Sequence, residues 1–255
     1  MNKVIKYVVY DIIRNKIVIA YTLFLLLISF AFFGLDTDPN KGLLSLLNIV
    51  LIVVPLVSII FSTIHFYNSY EFIELLLAQP ISRCKIFMSE YIGVASSLTY
   101  SFLVGVGIPA MVFNGTDKAA YLVLAGMLLT LVFVSIAFLA SILTRDKAKG
   151  IGASLLLWFY FSLIYDGLVL LLLFSFSDYP LEKPILLLTS LNPIDLGRLI
   201  VLLKMDTSAL MGYTGALFKE FFGSQLGVAL SLVVMSLWAV LPLWVAQRVF
   251  GRKDL

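Results

Sequence analysis

A chain of 255 residues could hold one or two ordinary domains, but 61% of it comes from Ala, Val, Ile, Leu, Met, Phe, Trp, Tyr and Cys and only 13% is charged. Soluble domains run nearer half and a quarter, and disordered chains are poor in apolar residues, so this is an all-α polytopic membrane protein. Its net charge of +3 is too small and too scattered to point to nucleic acid, and a single cysteine (Cys84) with a single histidine (His65) excludes an internal disulfide and any cysteine-built or histidine-paired metal centre.

The N-terminal arm is amphipathic. Val4, Ile5, Val8, Val9, Ile12 and Ile13 fall on one half of a helical wheel, and Lys3, Lys6, Tyr7, Tyr10, Asp11 and Arg14 on the other. That spacing predicts a helix over 3–16 lying in the cytoplasmic interface, as a plain anchor or as an elbow feeding the first span. A hydrocarbon core about 30 Å thick needs about 20 apolar residues in a helix. Six stretches meet that need, at 17–35, 43–64, 91–113, 119–143, 151–176 and 226–246. Cations gather in the arm (Lys3, Lys6, Arg14, Lys16), after span two (Arg83, Lys85), after span four (Arg145, Lys147, Lys149) and in the tail (Arg248, Arg252, Lys253). The two short loops on the other side hold only Lys41 and Lys118. Both termini are therefore expected in the cytoplasm.

The cytoplasmic stretch 68–90 has a grammar of its own. Glu71 and Glu74 lead into Leu75, Leu76 and Leu77, and Pro80 stops the helix because the residue before a proline is pushed out of the α region. Ser82 can cap a second helix that carries Arg83, Lys85, Ile86 and Met88. Two short helices hinged at a proline make a compact lever, and its apolar content calls for burial against something, a cytoplasmic partner included.

Span five carries one charge, Asp166, with Ser162 one turn earlier on the same face. An intramembrane carboxylate has to face protein or water, and a cation or hydroxyl from another span could complete a site there.

The segment 177–225 is too long for a plain loop. Asn192-Pro193-Ile194-Asp195 is a strong helix start, with a favoured N-cap, a proline at the first helical position and an acid against the dipole. This helix should end near Lys204, and Asp206-Thr207-Ser208 offers a cap for another over 209–222. Two surface helices with apolar faces, Leu199, Ile200, Leu202 and Leu203 in the first, could rest on lipid or form a platform for an outer partner. Met205 and Met211 could offer thioethers to a soft metal, though without histidine or cysteine beside them they read better as apolar fillers.

No G-x-x-x-x-G-K-[ST] sequence occurs, so the chain cannot hydrolyse ATP by itself; Gly212-Tyr213-Thr214-Gly215 with Lys219 has the wrong spacing. No G-x-S-x-G or H-E-x-x-H occurs either, and Asn114-Gly115-Thr116 is a sequon of a kind that arises by chance.

The proline-split pair Leu75-Leu76-Leu77-Ala78-Gln79-Pro80-Ile81-Ser82-Arg83 resembles the coupling region of exporter-type ABC permeases of the second class. Ser89-Glu90 stands where members of that family often have Gly-Lys. Tyr165-Asp166-Gly167-Leu168-Val169-Leu170, Leu191-Asn192-Pro193-Ile194-Asp195-Leu196-Gly197-Arg198-Leu199 and Ser208-Ala209-Leu210-Met211-Gly212 are similar to the narrower group of NosY-type permeases, which mature nitrous oxide reductase.

The resemblance implies one ABC-permease transmembrane domain over 1–255, with six spans behind an elbow, working as a homodimer in the lipid of the bacterial inner membrane. It implies no cofactor in this chain, with ATP and Mg held by a NosF-like cytoplasmic ATPase that grips the lever through Glu71, Glu74, Leu76, Pro80 and Arg83. A NosD-like periplasmic protein would dock at Asn192, Asp195, Arg198, Leu199 and Leu203, in the service of copper–sulfur centre assembly. A second-class exporter for a lipid, peptide or drug, and a non-transporting membrane scaffold, are the alternatives.

Overall fold

The computed structural model describes residues 2–35, 39–144, 146–176, 182–205 and 212–252. Arg145, Asp206-Thr207-Ser208, Met211 and Lys253 lie outside them. The described residues are helical, with no strand among them. In chain order the helices are α1 (Asn2–Ile13), α2 (Lys16–Leu35), α3 (Pro39–Asn68), α4 (Tyr70–Leu77), α5 (Arg83–Phe102) and α6 (Ile108–Asn114). They continue as α7 (Thr116–Leu143), α8 (Lys147–Phe159), α9 (Tyr165–Ser175), α10 (Glu182–Ser190), α11 (Pro193–Met205) and α12 (Gly212–Arg252). One π-helical turn, Leu103–Gly107, joins α5 to α6, and another, Tyr160–Ile164, joins α8 to α9.

Six helices are long and apolar enough to cross a membrane: Lys16–Gly34, Asn40–Asn68, Arg83–Phe113, Lys118–Leu143, Lys147–Ser175 and Gln225–Arg252. These match the six stretches read from the sequence, and the third starts two turns earlier because α5 runs without interruption from Arg83. The fourth span, α7, is the most buried. Thr130, Val132, Phe133, Val134, Ala137 and Phe138 on it have no exposed surface. It packs against α3, α11, α12 and α5, and the other spans are arranged around it.

Two apolar clusters fill the bundle. The larger joins α2, α3, α7, α11 and α12 through residues such as Leu25, Leu46, Val50, Phe133, Ile200 and Met235. The smaller lies at the α4 end, where Val8, Ile12, Ile73, Leu76, Ile86 and Phe250 surround Phe138. The Phe138 ring meets Phe66, Phe87 and Tyr91 edge-on, a favoured aromatic arrangement. Helix α1 is pressed onto α5 at Gly93, where a Cβ would stand 2.9 Å from that of Val8. Only a residue without a side chain allows this approach.

The segment between spans five and six differs from the expected pair of surface helices. Helix α11 starts at Pro193, as read, but it lies inside the bundle against α7, α12 and α3. The reason is its circumference. Ile194, Leu196, Val201 and Met205 complete the ring that Leu199, Ile200, Leu202 and Leu203 begin, and all eight are buried. A helix that is apolar around most of its circumference, with its charges confined to Asp195, Arg198 and Lys204, belongs largely in a core. Gly197 brings it close to α7, since a Cβ there would be 3.1 Å from Leu129 Cδ1. Residues 184–190 of α10 and the whole of α11 form a broken pair bent by 105°. The helix expected over 209–222 is no separate element either: from Gly212 it is one piece with the sixth span, in a helix of 41 residues.

Candidate functional site

Helix α4 follows α3 after the single residue Ser69, whose amide donates to His65 O (2.9 Å) and whose carbonyl accepts from Ile73 N (2.8 Å). The helix ends at Leu77, two residues of turn precede Pro80, and α5 begins at Arg83. Ser82 occupies the N-cap in extended conformation, as read, but its side chain makes no capping bond. Its carbonyl takes the Lys85 and Ile86 amides instead. Of the expected coupling residues, Glu71, Glu74, Pro80 and Arg83 are exposed. Leu76 is buried with Ile73 in the smaller cluster and so is not open to a gripping partner. Position 75 points outward, with Leu75 68% exposed. An eight-residue helix can hide only one stripe, and here that stripe is 73 and 76.

Behind α4 lies a buried polar chain that the sequence reading missed. His65 Nε2 is 3.3 Å from Glu90 Oε2 on α5 and 3.3 Å from Ser69 Oγ. The Glu90 side chain is 1% exposed and that of His65 10%. Glu90 Oε1 has no hydrogen-bond partner. One ring nitrogen therefore ties the α3–α4 junction to the start of span three, across the gap that the lever bridges. The signal was available: Glu90 is the one acid between Glu74 and Asp117, but it was assigned to the loop because the span was started at 91.

At the other end, Asp166 on α9 meets α11. Arg198 Nη1 lies 3.8 Å from Asp166 Oδ2 and 3.9 Å from Asp195 Oδ1, so one guanidinium stands between carboxylates of two helices. The cation expected from another span is thus Arg198. The site is nevertheless at the bundle surface, with the Asp166 side chain 39% and Arg198 43% exposed, because the span holding Asp166 is the least buried of the six. Ser162 makes no hydrogen bond and is not joined to Asp166. It sits in the π-helical turn, whose wider i→i+5 repeat breaks the one-turn alignment assumed for the two residues.

The corner between α10 and α11 is built on Asn192, which is fully buried. Its Oδ1 accepts the Ile194 amide at 3.1 Å, and its Nδ2 donates to Phe161 O in the π-helical turn at 3.1 Å. Tyr165 Oη donates to Leu188 O at 2.5 Å. Of the residues expected to dock an outer partner, Asn192, Leu199 and Leu203 are buried and cannot form a surface; Asp195 is largely covered, and Arg198 is exposed. Met205 is also a core side chain. Among the described residues no group of three or more His, Cys, Asp and Glu side chains could hold a metal.

The helical fold agrees with what the chain is similar to. A protein of Pseudomonas aeruginosa described as a probable ABC transporter permease protein NosY is 29% identical over 268 residues, covering 96% of this chain and 95% of the relative. One of Stutzerimonas stutzeri with the same description is 26% identical over 267 residues, covering 95% of each. The family described as ABC-2 family transporter protein matches residues 3–255, and with a match over that length the chain belongs to it: this is the permease of an ABC transporter.

Proposed function

We propose that the chain is a NosY-type permease, working as a homodimer in the bacterial inner membrane. Its cycle is driven by a NosF-like ATPase that holds ATP and Mg, and it serves copper–sulfur centre assembly in nitrous oxide reductase together with a NosD-like periplasmic protein. The relatives' names over nearly the whole chain support the narrow reading. The mechanical part rests on one observation. Helix α4 is fixed to the bundle by Ile73 and Leu76 and turns Glu71, Glu74 and Leu75 outward.

An ATPase gripping that outward face would displace α4. The displacement would reach span two through Ser69 and span three through the His65–Glu90 contact. Asp166, Asp195 and Arg198 would respond at the far end, where α9 and α11 meet. Span five leaves Leu156, Leu163, Leu171 and Phe174 exposed, and in the homodimer this apolar surface would be shared between lipid and the second copy.

The test is co-purification of the chain with a NosF-like ATPase subunit. Leu75→Asp should abolish capture while leaving insertion and thermal stability unchanged, since Leu75 touches little of its own chain. Full capture by that variant, or none by the unaltered chain, would overturn the reading.

A further inference from the structure

Helix α1 is organised in rows four residues apart, and its packing decides which row faces what. Val4, Val8 and Ile12 form the row against α5, with Val8 3% exposed and Ile12 fully buried. The close approach at Gly93 fixes the rotation of the helix about its own axis. Because residues at i and i+4 lie one above the other, the next row is Ile5, Val9 and Ile13, and the one after it Lys6, Tyr10 and Arg14. The sequence pattern had joined the first two rows into one apolar half. The fold separates them, burying the first and leaving the second open.

The two open rows form a surface groove of about 420 Å³, lined by Ile5, Lys6, Val9, Tyr10, Ile13 and Arg14. One wall is apolar and the other cationic. The Arg14 guanidinium lies over the Tyr10 ring, 4.1 Å from its centre. Eight residues separate Lys6 from Arg14, about 12 Å along the axis at 1.5 Å per residue. Folding Arg14 back over Tyr10 brings the two charges nearer to each other. Neither cation takes part in an ion pair among the described residues.

The apolar row runs on into membrane-facing surface. Asn15 Oδ1 accepts the Ile17 amide at 2.9 Å where α1 passes into α2, and Ile17, Ile19, Leu23 and Phe24 of that span are exposed. The remaining row points elsewhere: Tyr7 meets the Phe72 ring of α4, with centroids 5.5 Å apart. Around α1 the order is therefore bundle, membrane, cations, lever.

We propose that this groove is a binding site for an anionic phospholipid of the adjoining leaflet, with its phosphate between Lys6 and Arg14 and the upper part of an acyl chain along Ile5, Val9 and Ile13. Two charges of one sign beside an open apolar strip fit a molecule that carries the opposite charge on an apolar tail. Juxtamembrane cations attract anionic lipid, and amphipathic helices lie at this depth. The strip is open to one side, with an apolar row beside a cationic one, which suits a headgroup and the start of a tail. The lipid would then touch the helix that braces both span three and the lever.

Native mass spectrometry of the full chain released from detergent, after titration with phosphatidylglycerol or phosphatidylcholine, tests this. The chain should retain one phosphatidylglycerol with at least tenfold preference. Lys6→Gln with Arg14→Gln, both at exposed positions, should remove the preference, whereas Lys85→Gln should keep it. Ile13→Asn should weaken retention of phosphatidylglycerol without changing any effect of free glycerol phosphate, which separates a lipid from a loose anion. Equal retention of both lipids, unchanged preference in the double variant, or competition by free glycerol phosphate at equal concentration would overturn the proposal. So would loss of ATPase capture or of the dimer in the double variant with lipid preference intact, because the groove would then belong to a protein.

Discussion

At each end of the bundle an acidic side chain from one helix meets a basic one from another. Near the lever Glu90 and His65 are 3.3 Å apart and almost wholly enclosed; at the far end Asp166 and Arg198 are 3.8 Å apart and about two-fifths exposed. The shorter contact lies where α3 and α5 are held on either side of the lever. The longer one lies where α9 forms the loosest wall of the bundle. Enclosure changes what such a contact is worth. Exposed pairs contribute about 0–1 kcal/mol, whereas breaking an enclosed one leaves a polar group with nowhere to turn and costs several times as much. The near end is thus the more tightly enclosed contact, and the far end the looser one.

That contrast can be broken by substitution, and stability measured as thermal unfolding in one detergent reads it. His65→Leu should have the largest effect, about 3 kcal/mol, because Glu90 would be left enclosed with both oxygens unsatisfied. Adding Glu90→Leu should recover most of the loss, and a double variant no more stable than the single one would show that the contact is not what holds the two helices. Asn192→Ala should cost about 1–2 kcal/mol: the corner at the far end is held by a neutral amide, which caps α11 and reaches Phe161. The smallest effect is expected from Asp166→Leu, within about 1 kcal/mol. If that variant unfolds as readily as His65→Leu, the two ends are equivalent and the contrast fails.

The spans were legible because about twenty apolar residues in a row have few other uses, and the lever was legible because Pro80 comes with a candidate cap at Ser82 just after it; a proline alone is no stop, since Pro55 and Pro242 lie inside α3 and α12. The start of α11 was equally plain at Asn192-Pro193. Its destination was not. Choosing Leu199, Ile200, Leu202 and Leu203 as one face left Ile194, Leu196, Val201 and Met205 out of account, and with all eight buried the helix keeps only a narrow polar strip at Asp195 and Arg198. A glutamate placed by Leu199→Glu or Leu203→Glu would put a charge in the core and not on a docking surface. Ser162 shows a different limit. Its alignment with Asp166 assumed a regular helix, and nothing local in Tyr160–Ile164 announces a π-helical turn. His65 and Glu90 are 25 residues apart in the chain, and only the packing of α3 beside α5 makes them neighbours.

The bent corner at Asn192 also has a consequence for the order in which the molecule is made. Its amide finds its second partner on Phe161, which belongs to the preceding span. Until that span is in place, the corner would carry an unmatched amide into hydrocarbon, which is strongly disfavoured. The pair of short helices is therefore matched only when it lies beside span five. The C-terminal helix then closes over it, and Trp238 Nε1 seals the corner by donating to Ser190 O at 3.2 Å. A chain cut short before residue 225, lacking this seal, should leave α10 and α11 more open to added protease than the full chain does.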